Sequence, residues 1–157
     1  MGFLNIEFQD LGKVRIELFA QDAPKNVANV EGLVRKGFYD GLTIHRVIPG
    51  FVIQGGDPKG NGAGGLNYTV PAEIKRKHAR GAVAMARTGD SVNPKKESSS
   101  CQFYICLKDL PNLDAAGYTV IGQVTEGLPV VDKIAQVPTN AQDRPLKPVV
   151  MTKVTLE

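Results

Sequence analysis

The chain is 157 residues long, 42% hydrophobic and 22% charged, with a formal net charge of +3. That length suits one domain, which buries about 70% of the surface its unfolded chain exposes. No apolar run approaches the roughly 20 residues of a membrane helix, which argues against a membrane span, and the composition argues against disorder.

Taken from the start, Met1-Gly2-Phe3-Leu4-Asn5-Ile6-Glu7 has neither a basic n-region nor an apolar h-region, so a cytoplasmic protein is expected. Met1-Gly2 does not open a myristoylation motif, because Ile6 stands where Ser or Thr is required. Phe3 to Phe8 and Lys13 to Phe19 alternate apolar and polar residues around the turn residues Asp10-Leu11-Gly12, which predicts a hairpin. Leu4, Ile6 and Phe8 share one face, as do Val14, Ile16 and Leu18. Asp22 is a candidate N-cap and Pro24 suits a first turn; Val27, Val30 and Val34 then recur at helical spacing until Gly37.

Short β-type runs follow at Ile44 to Val47, Phe51 to Gln54, Ala82 to Ala86, Gln102 to Leu107, Thr119 to Val124 and Val149 to Leu156, for a total of eight strands. A second helix fits Pro129 to Ala135, with Val130, Val131 and Ile134 inward. Thr88 to Ser100 is polar and turn-rich, a surface loop. With no repeat or linker, residues 1–157 form one domain in this reading. The expected fold is mainly β: a closed eight-stranded antiparallel barrel capped by two α-helices. Such a barrel is filled by its own side chains, so any binding site lies outside it.

Several motifs are weaker than they look. Gly60-Asn61-Gly62-Ala63-Gly64-Gly65 matches G-x-G-x-x-G, but an extended segment ending at Pro71 follows where a dinucleotide site needs a helix. The glycines then serve turns and close backbone approach. Ser98-Ser99-Ser100 has no adjacent His and no G-x-S-x-G surrounds it, which disfavours a hydrolase. The basic run Lys75-Arg76-Lys77-His78 with Arg80 lacks interleaved aromatics for base stacking, so it reads as a solvated face and no nucleic-acid partner is expected. His45, between Ile44 and Val47, reads as a hydrogen-bonded core histidine. The two cysteines, Cys101 and Cys106, lie five apart in one expected strand, on opposite faces and roughly 16 Å apart, which forbids a bond between them. Both histidines are distant in sequence from each other and from the cysteines, so no metal is expected and the thiols are reduced and buried.

The informative stretch is Ile44-His45-Arg46-Val47-Ile48-Pro49-Gly50-Phe51-Val52-Ile53-Gln54-Gly55-Gly56-Asp57, which combines a cation, an aromatic and an amide around a Pro-Gly break. A second is Ser100-Cys101-Gln102-Phe103-Tyr104-Ile105, where alternation puts Gln102 and Tyr104 on one face and Phe103 and Ile105 on the other. With Gly81-Ala82-Val83-Ala84-Met85-Ala86 and Leu113-Asp114, these segments resemble the cyclophilin family of peptidyl-prolyl cis/trans isomerases over nearly the whole chain. The resemblance implies an eight-stranded antiparallel barrel with two helices and isomerisation of X-Pro bonds without metal or organic cofactor.

Carried over by position, the resemblance makes Arg46 the catalytic cation and Gln54 its hydrogen-bonding neighbour. Phe51, Val52, Tyr104 and Leu113 line the proline pocket, Ala86, Arg87 and Gln102 border the residues before proline, and Tyr118 stands at the rim. Val52 replaces a typical methionine, Tyr104 a phenylalanine, Arg87 an asparagine, Asn112 a tryptophan and Tyr118 a histidine, mostly as in bacterial-looking members. Because Asn112 holds the tryptophan position and the chain has no Trp, the resemblance does not carry cyclosporin binding. Phe51 and Gln54 are three apart, so serving one site requires a bulge or bend near Pro49-Gly50.

These residue types suit the reaction. An X-Pro amide resists rotation by roughly 18 to 20 kcal/mol because twisting breaks its resonance. The twisted nitrogen regains a lone pair, and a cationic donor aimed there binds the transition state better than either ground state. The expected partners are proline-containing polypeptides whose folding the enzyme assists, with no membrane, and the chain is expected to be a monomer. The alternatives are a non-catalytic proline-peptide binding module or holdase and, from a different class, a nucleotide binder.

Overall fold

The computed structural model describes residues 2–157; Met1, where the myristoylation motif would begin, lies outside them. Strand β1 (Gly2–Phe8) turns back into β2 (Gly12–Leu18) with Leu4 opposite Ile16 and Ile6 opposite Val14. The two alternations therefore deliver their apolar residues to one interior. After helix α1 (Pro24–Arg35) come β3 (Thr43–Ile48), β4 (Val52–Gly55), β5 (Thr69–Val70), β6 (Ala82–Met85), β7 (Ser98–Ser99) and β8 (Phe103–Cys106). Helix α2 (Pro111–Ala116), β9 (Val120–Glu126), α3 (Leu128–Ala135) and β10 (Val149–Leu156) complete the chain.

Eight strands close in the order β1-β10-β3-β4-β8-β6-β9-β2, antiparallel throughout, as the sequence pattern predicted. Ile6, Val14, Ile16, Ile53, Ile105 and Met151 pack the interior almost without exposure. The apolar void left among the barrel's inner residues is about 20 Å³, room for a single water. Val27, Val30, Leu33 and Val34 of α1 and Val131 and Ile134 of α3 join the same core. No helix among the described residues is long and apolar enough to cross a membrane.

Three local expectations are corrected. Among the described residues there are three helices, not two: α2 is six residues long and buries only Leu113, too little to leave a periodic apolar signal. Ser98 and Ser99 leave the expected surface loop to pair with β5, and Ser98 and Ser100 are buried. Asp22 does not cap α1. It accepts a 2.6 Å hydrogen bond from Arg76 Nε instead, and Ala23 occupies the cap position with no side-chain bond.

The orphan N–H groups at the start of α1 find their acceptor far along the chain. Lys25 and Asn26 donate their backbone N–H to the Glu73 carboxylate at 3.1 and 2.9 Å, and Asn26 Nδ2 donates to it at 2.8 Å. Partial burial pushes the Glu73 carboxyl up, but these bonds from Asn26 and Lys25 outweigh it and hold the group below its ordinary range. A carboxylate whose folded pKa lies below its unfolded value contributes stability above the unfolded pKa and loses it as pH falls through the folded one. Glu73→Ala is expected to cost about 1–2 kcal/mol at pH 7 in urea unfolding. The difference from wild type should shrink as pH falls below about 4; a pH-independent difference would refute the capping role.

Candidate active site

The site is built on the outer surface of the barrel, where β3, β4, β8 and β6 lie side by side. Arg46 pairs with Gln54, Gln54 with Tyr104, and Tyr104 with Ala84. These residues form one row across the strands with their inward neighbours Val47, Ile53 and Ile105 wholly buried. A register shift between Ile44 and Arg46 lets Ile44 and Val47 both face the core while Arg46 faces out. Phe51 lies before the start of β4, in the Pro49-Gly50-Phe51 turn, where Gly50 has φ +76° and the Phe51 N–H donates to Ile48 O at 3.0 Å. The turn frees Phe51 from strand alternation, which meets the geometric need the sequence posed.

Outside the barrel a second apolar cluster forms from Val52, Ala84, Tyr104, Leu110, Leu113 and Val120, with Phe51, Ala86 and Tyr118 against it. It is open at one end. The opening is a pocket of about 140 Å³ lined by Arg46, Phe51, Val52, Gln54, Ala86, Arg87, Tyr104, Leu113 and Tyr118. Gln102 is the one predicted site residue outside it. It lines an adjoining, wider depression of about 480 Å³ that shares Gln54, Ala86 and Arg87 and is roofed by the Gly-rich loop.

Polar contacts run from that loop to the cation. Gln102 Nε2 donates to Gly62 O at 3.0 Å and Gly64 O at 2.7 Å. Carbonyls only accept, so the Gln102 amide cannot flip and its Oε1 must face Gln54. Gln54 Nε2 donates to that oxygen at 3.0 Å, which turns Gln54 Oε1 toward Arg46 Nη1, 3.4 Å away. Arg46 is exposed, and among the described residues no carboxylate pairs with it, whereas Arg15, Arg76, Arg80 and Arg87 all have ion-pair partners.

Asp57, 1% exposed, holds the loop from beneath. Its carboxylate accepts backbone N–H from Lys59, Asn61, Gly62 and Gly64 at 2.6–3.1 Å. Burial pushes its carboxyl up, and the four N–H groups bring it below its ordinary range. A Cβ at Gly64 would overlap Asp57 Oδ1, so glycine is required there. The loop's N–H groups thus serve the chain's own carboxylate, which gives the Gly-rich motif a local purpose without a phosphate.

Arg87 reaches both depressions, but its guanidinium is engaged elsewhere. It donates to Gly117 O, Ala116 O and Thr88 O at 2.7–2.9 Å, pairs with Asp90 at 3.0 Å and lies 4.4 Å over the Tyr118 ring. It therefore ties the end of α2 to β6's exit. His45 is buried as expected, yet among the described residues its Nδ1 has no hydrogen-bond partner, which corrects the expectation of a satisfied histidine; burial lowers its pKa. Cys101 precedes β8 rather than lying in it; both thiols are free and buried, and burial pushes Cys106 up to about 12.

One participant was missed. His78 belongs to the basic run read as solvated, and Lys75, Arg76 and Lys77 are exposed, but His78 is 2% exposed. Its ring nitrogens lie 2.9 Å from Asp114 Oδ1 and 2.8 Å from the Tyr104 hydroxyl. The available signal was Tyr104 itself, since a buried phenol needs a polar partner. Among the described residues no cluster of three or more His, Cys, Asp or Glu is placed to hold a metal.

The chain matches the family model described as cyclophilin type peptidyl-prolyl cis-trans isomerase/CLD over residues 3–156. It is similar to a peptidyl-prolyl cis-trans isomerase of Helicobacter pylori, 45% identical over 130 residues covering 80% of this chain and 76% of that one. Peptidyl-prolyl cis-trans isomerase B of Bacillus subtilis is 46% identical over 123 residues, 76% of this chain and 81% of the relative. Among solved structures, a cyclophilin type peptidyl-prolyl cis-trans isomerase of Cryptosporidium parvum, crystallised in the presence of the dipeptide Ala-Pro, superposes with a TM-score of 0.90. It is 27% identical and the match covers 99% of this chain and 98% of that one.

Asp57→Ala strands four backbone donors. Amide exchange at Lys59, Asn61, Gly62 and Gly64 is expected to accelerate at least about tenfold, while Ile53 and Ile105 keep their protection. Unchanged exchange in the loop would show that the carboxylate does not hold it.

Proposed function

The chain belongs to the cyclophilin-type peptidyl-prolyl cis-trans isomerase family and is an isomerase of X-Pro peptide bonds, and on that premise we propose that Arg46 is its catalytic residue and that the 140 Å³ pocket takes the prolyl ring. The membership does not favour a non-catalytic proline-binding module or holdase. In the proposed arrangement the ring enters between Phe51, Val52, Tyr104 and Leu113, with Tyr118 at the rim. The residues before proline run over Ala86 and Gln102 along the wider depression. Arg87 supports the wall between the two, because its own donors are bound to α2.

The observation that carries this reading is an unpaired guanidinium held at the mouth of an apolar pocket by a neutral acceptor. A carboxylate partner would neutralise the charge that a developing lone pair needs. Gln54 orients the guanidinium and leaves that charge in place. Guanidinium stays protonated throughout the working pH range, and its rigid fork of donors meets the imide nitrogen as the bond leaves planarity. The ring is anchored, the preceding residues are anchored, and the bond between them is the part free to turn. No proton or electron is transferred, so the reaction asks nothing of a cofactor. Lowering the barrier by about 7 kcal/mol yields roughly 10⁵-fold acceleration.

The same proposal extends to the physiological setting. Residues 1–157 act as a single-domain monomer in the cytoplasm on proline-containing polypeptides, assisting their folding. Asn112, exposed on α2, offers no aromatic surface, so weak cyclosporin binding is included.

In a proline-peptide isomerisation assay, Arg46→Ala is expected to lower kcat by about 10²–10³ while peptide affinity changes only a few fold. Arg46→Lys should recover only part of the loss, because a flexible ammonium lacks the fork. Undiminished turnover by Arg46→Ala would reject the assignment.

A further inference from the structure

The strongest unexplained arrangement lies directly behind the pocket. Asp114, next to Leu113 on α2, receives two donors from one residue: the backbone N–H of His78 at 2.6 Å and its Nδ1 at 2.9 Å. Burial pushes the Asp114 carboxyl up, but the bonds from His78 outweigh this and keep it below its ordinary range, so it is ionised and can only accept. Nδ1 must therefore carry a proton. In the neutral imidazole Nε2 is then an acceptor, and among the described residues the donor it meets is the Tyr104 hydroxyl at 2.8 Å. Burial raises the Tyr104 pKa well above its ordinary value, so the phenol keeps its proton and donates it.

The two rings are nearly parallel: the His78 and Tyr104 planes differ by 8° with centroids 5.9 Å apart, and the phenol oxygen lies 2.8 Å from Nε2. Tyr118 stands nearly perpendicular to both rings, with centroids 5.8 Å from Tyr104 and 6.1 Å from His78. The pocket is thus left facing the carbon surface of Tyr104.

We propose that His78, oriented by Asp114, is a positioning residue of the proline pocket: it draws the Tyr104 hydroxyl away from the cavity. The proposal rests on the reading that this pocket takes the prolyl ring. It accounts for a tyrosine in an apolar pocket floor, because a bonded hydroxyl leaves the ring to act as a plain hydrocarbon face. Without the imidazole acceptor the hydroxyl must satisfy itself from water inside the pocket, and substrate binding has to displace that water.

The test is a double-mutant cycle in the proline-peptide assay, with KM and kcat separated. His78→Leu is expected to raise KM about tenfold and leave kcat within about twofold, since a buried donor is stranded. Adding Tyr104→Phe removes the stranded hydroxyl and should return KM to within about threefold of wild type. In the double variant the backbone N–H of residue 78 still serves Asp114, which is part-exposed and can take water at its other sites. A double variant as poor as His78→Leu alone overturns the proposal. Leu113→Ala separates the two levels: a raised KM there with none in His78→Leu overturns the positioning role alone, while no change in either removes the pocket reading with it. Nitrogen-15 NMR of the wild-type His78 ring provides a readout that needs no variant to fold; an Nδ1–H tautomer with Nε2 unprotonated is expected, and a proton on Nε2 overturns the assignment.

Discussion

A closed barrel filled by its own side chains forces every useful group to its outside. With about 20 Å³ of void among its inner residues, the interior has no room for a peptide. Strand pleating then decides which residues can act, since every second one faces out. Ile53 and Ile105 complete the core, and their neighbours Gln54 and Tyr104 are thereby committed to the outer surface. Two irregularities refine the pattern: the bulge in β3 that brings Arg46 out and the turn at Gly50 that brings Phe51 alongside Val52.

The outer surface is apolar enough to form a small core of its own, and α2 lies over part of it. Leu110 and Leu113 cover Val52, Ala84 and Tyr104, and the cluster stays uncovered beside Arg46. The pocket is in this sense an unfinished core, completed when a ring of the right size enters. Helix α2 is tied down at two points by long-range contacts, His78 to Asp114 near its middle and Arg87 to the carbonyls of Ala116 and Gly117 at its end. Such ties suit a short helix with a single buried residue, which has little packing of its own to hold it.

Polarity at the site is directional. Each link from the Gly-rich loop through Gln102 and Gln54 has one allowed sense of donation, because it begins at carbonyls that only accept. Asp57 anchors those carbonyls by gathering the N–H groups around them. The guanidinium at the far end is steered without being neutralised, which is what stabilising a transient lone pair demands and what an ion pair would spoil.

How much of this was legible beforehand follows from the range of the interactions. Period-two alternation and turn residues are local, so the eight barrel strands, the inward faces of the opening hairpin and the separation of Phe103 and Ile105 from Tyr104 could be read directly. The signature around Arg46, Phe51 and Gln54 was equally local, and so was the need for a break in alternation between Phe51 and Gln54. Other features depend on partners distant in sequence. Glu73 replaces Asp22 at the start of α1 from 47 residues away, and Tyr104 turns His78 from a member of a basic run into a buried acceptor across 26. Helix α2 has too few buried residues to show a period, and the α2 carbonyl that engages Arg87, a pocket-lining residue, lies 29 residues away. Sequence by itself determined which faces are apolar and where the cation stands, because those follow from neighbours along the chain. Only the closed tertiary structure decided which polar groups meet, because hydrogen bonds are short and directional and their partners come together only when the barrel is complete.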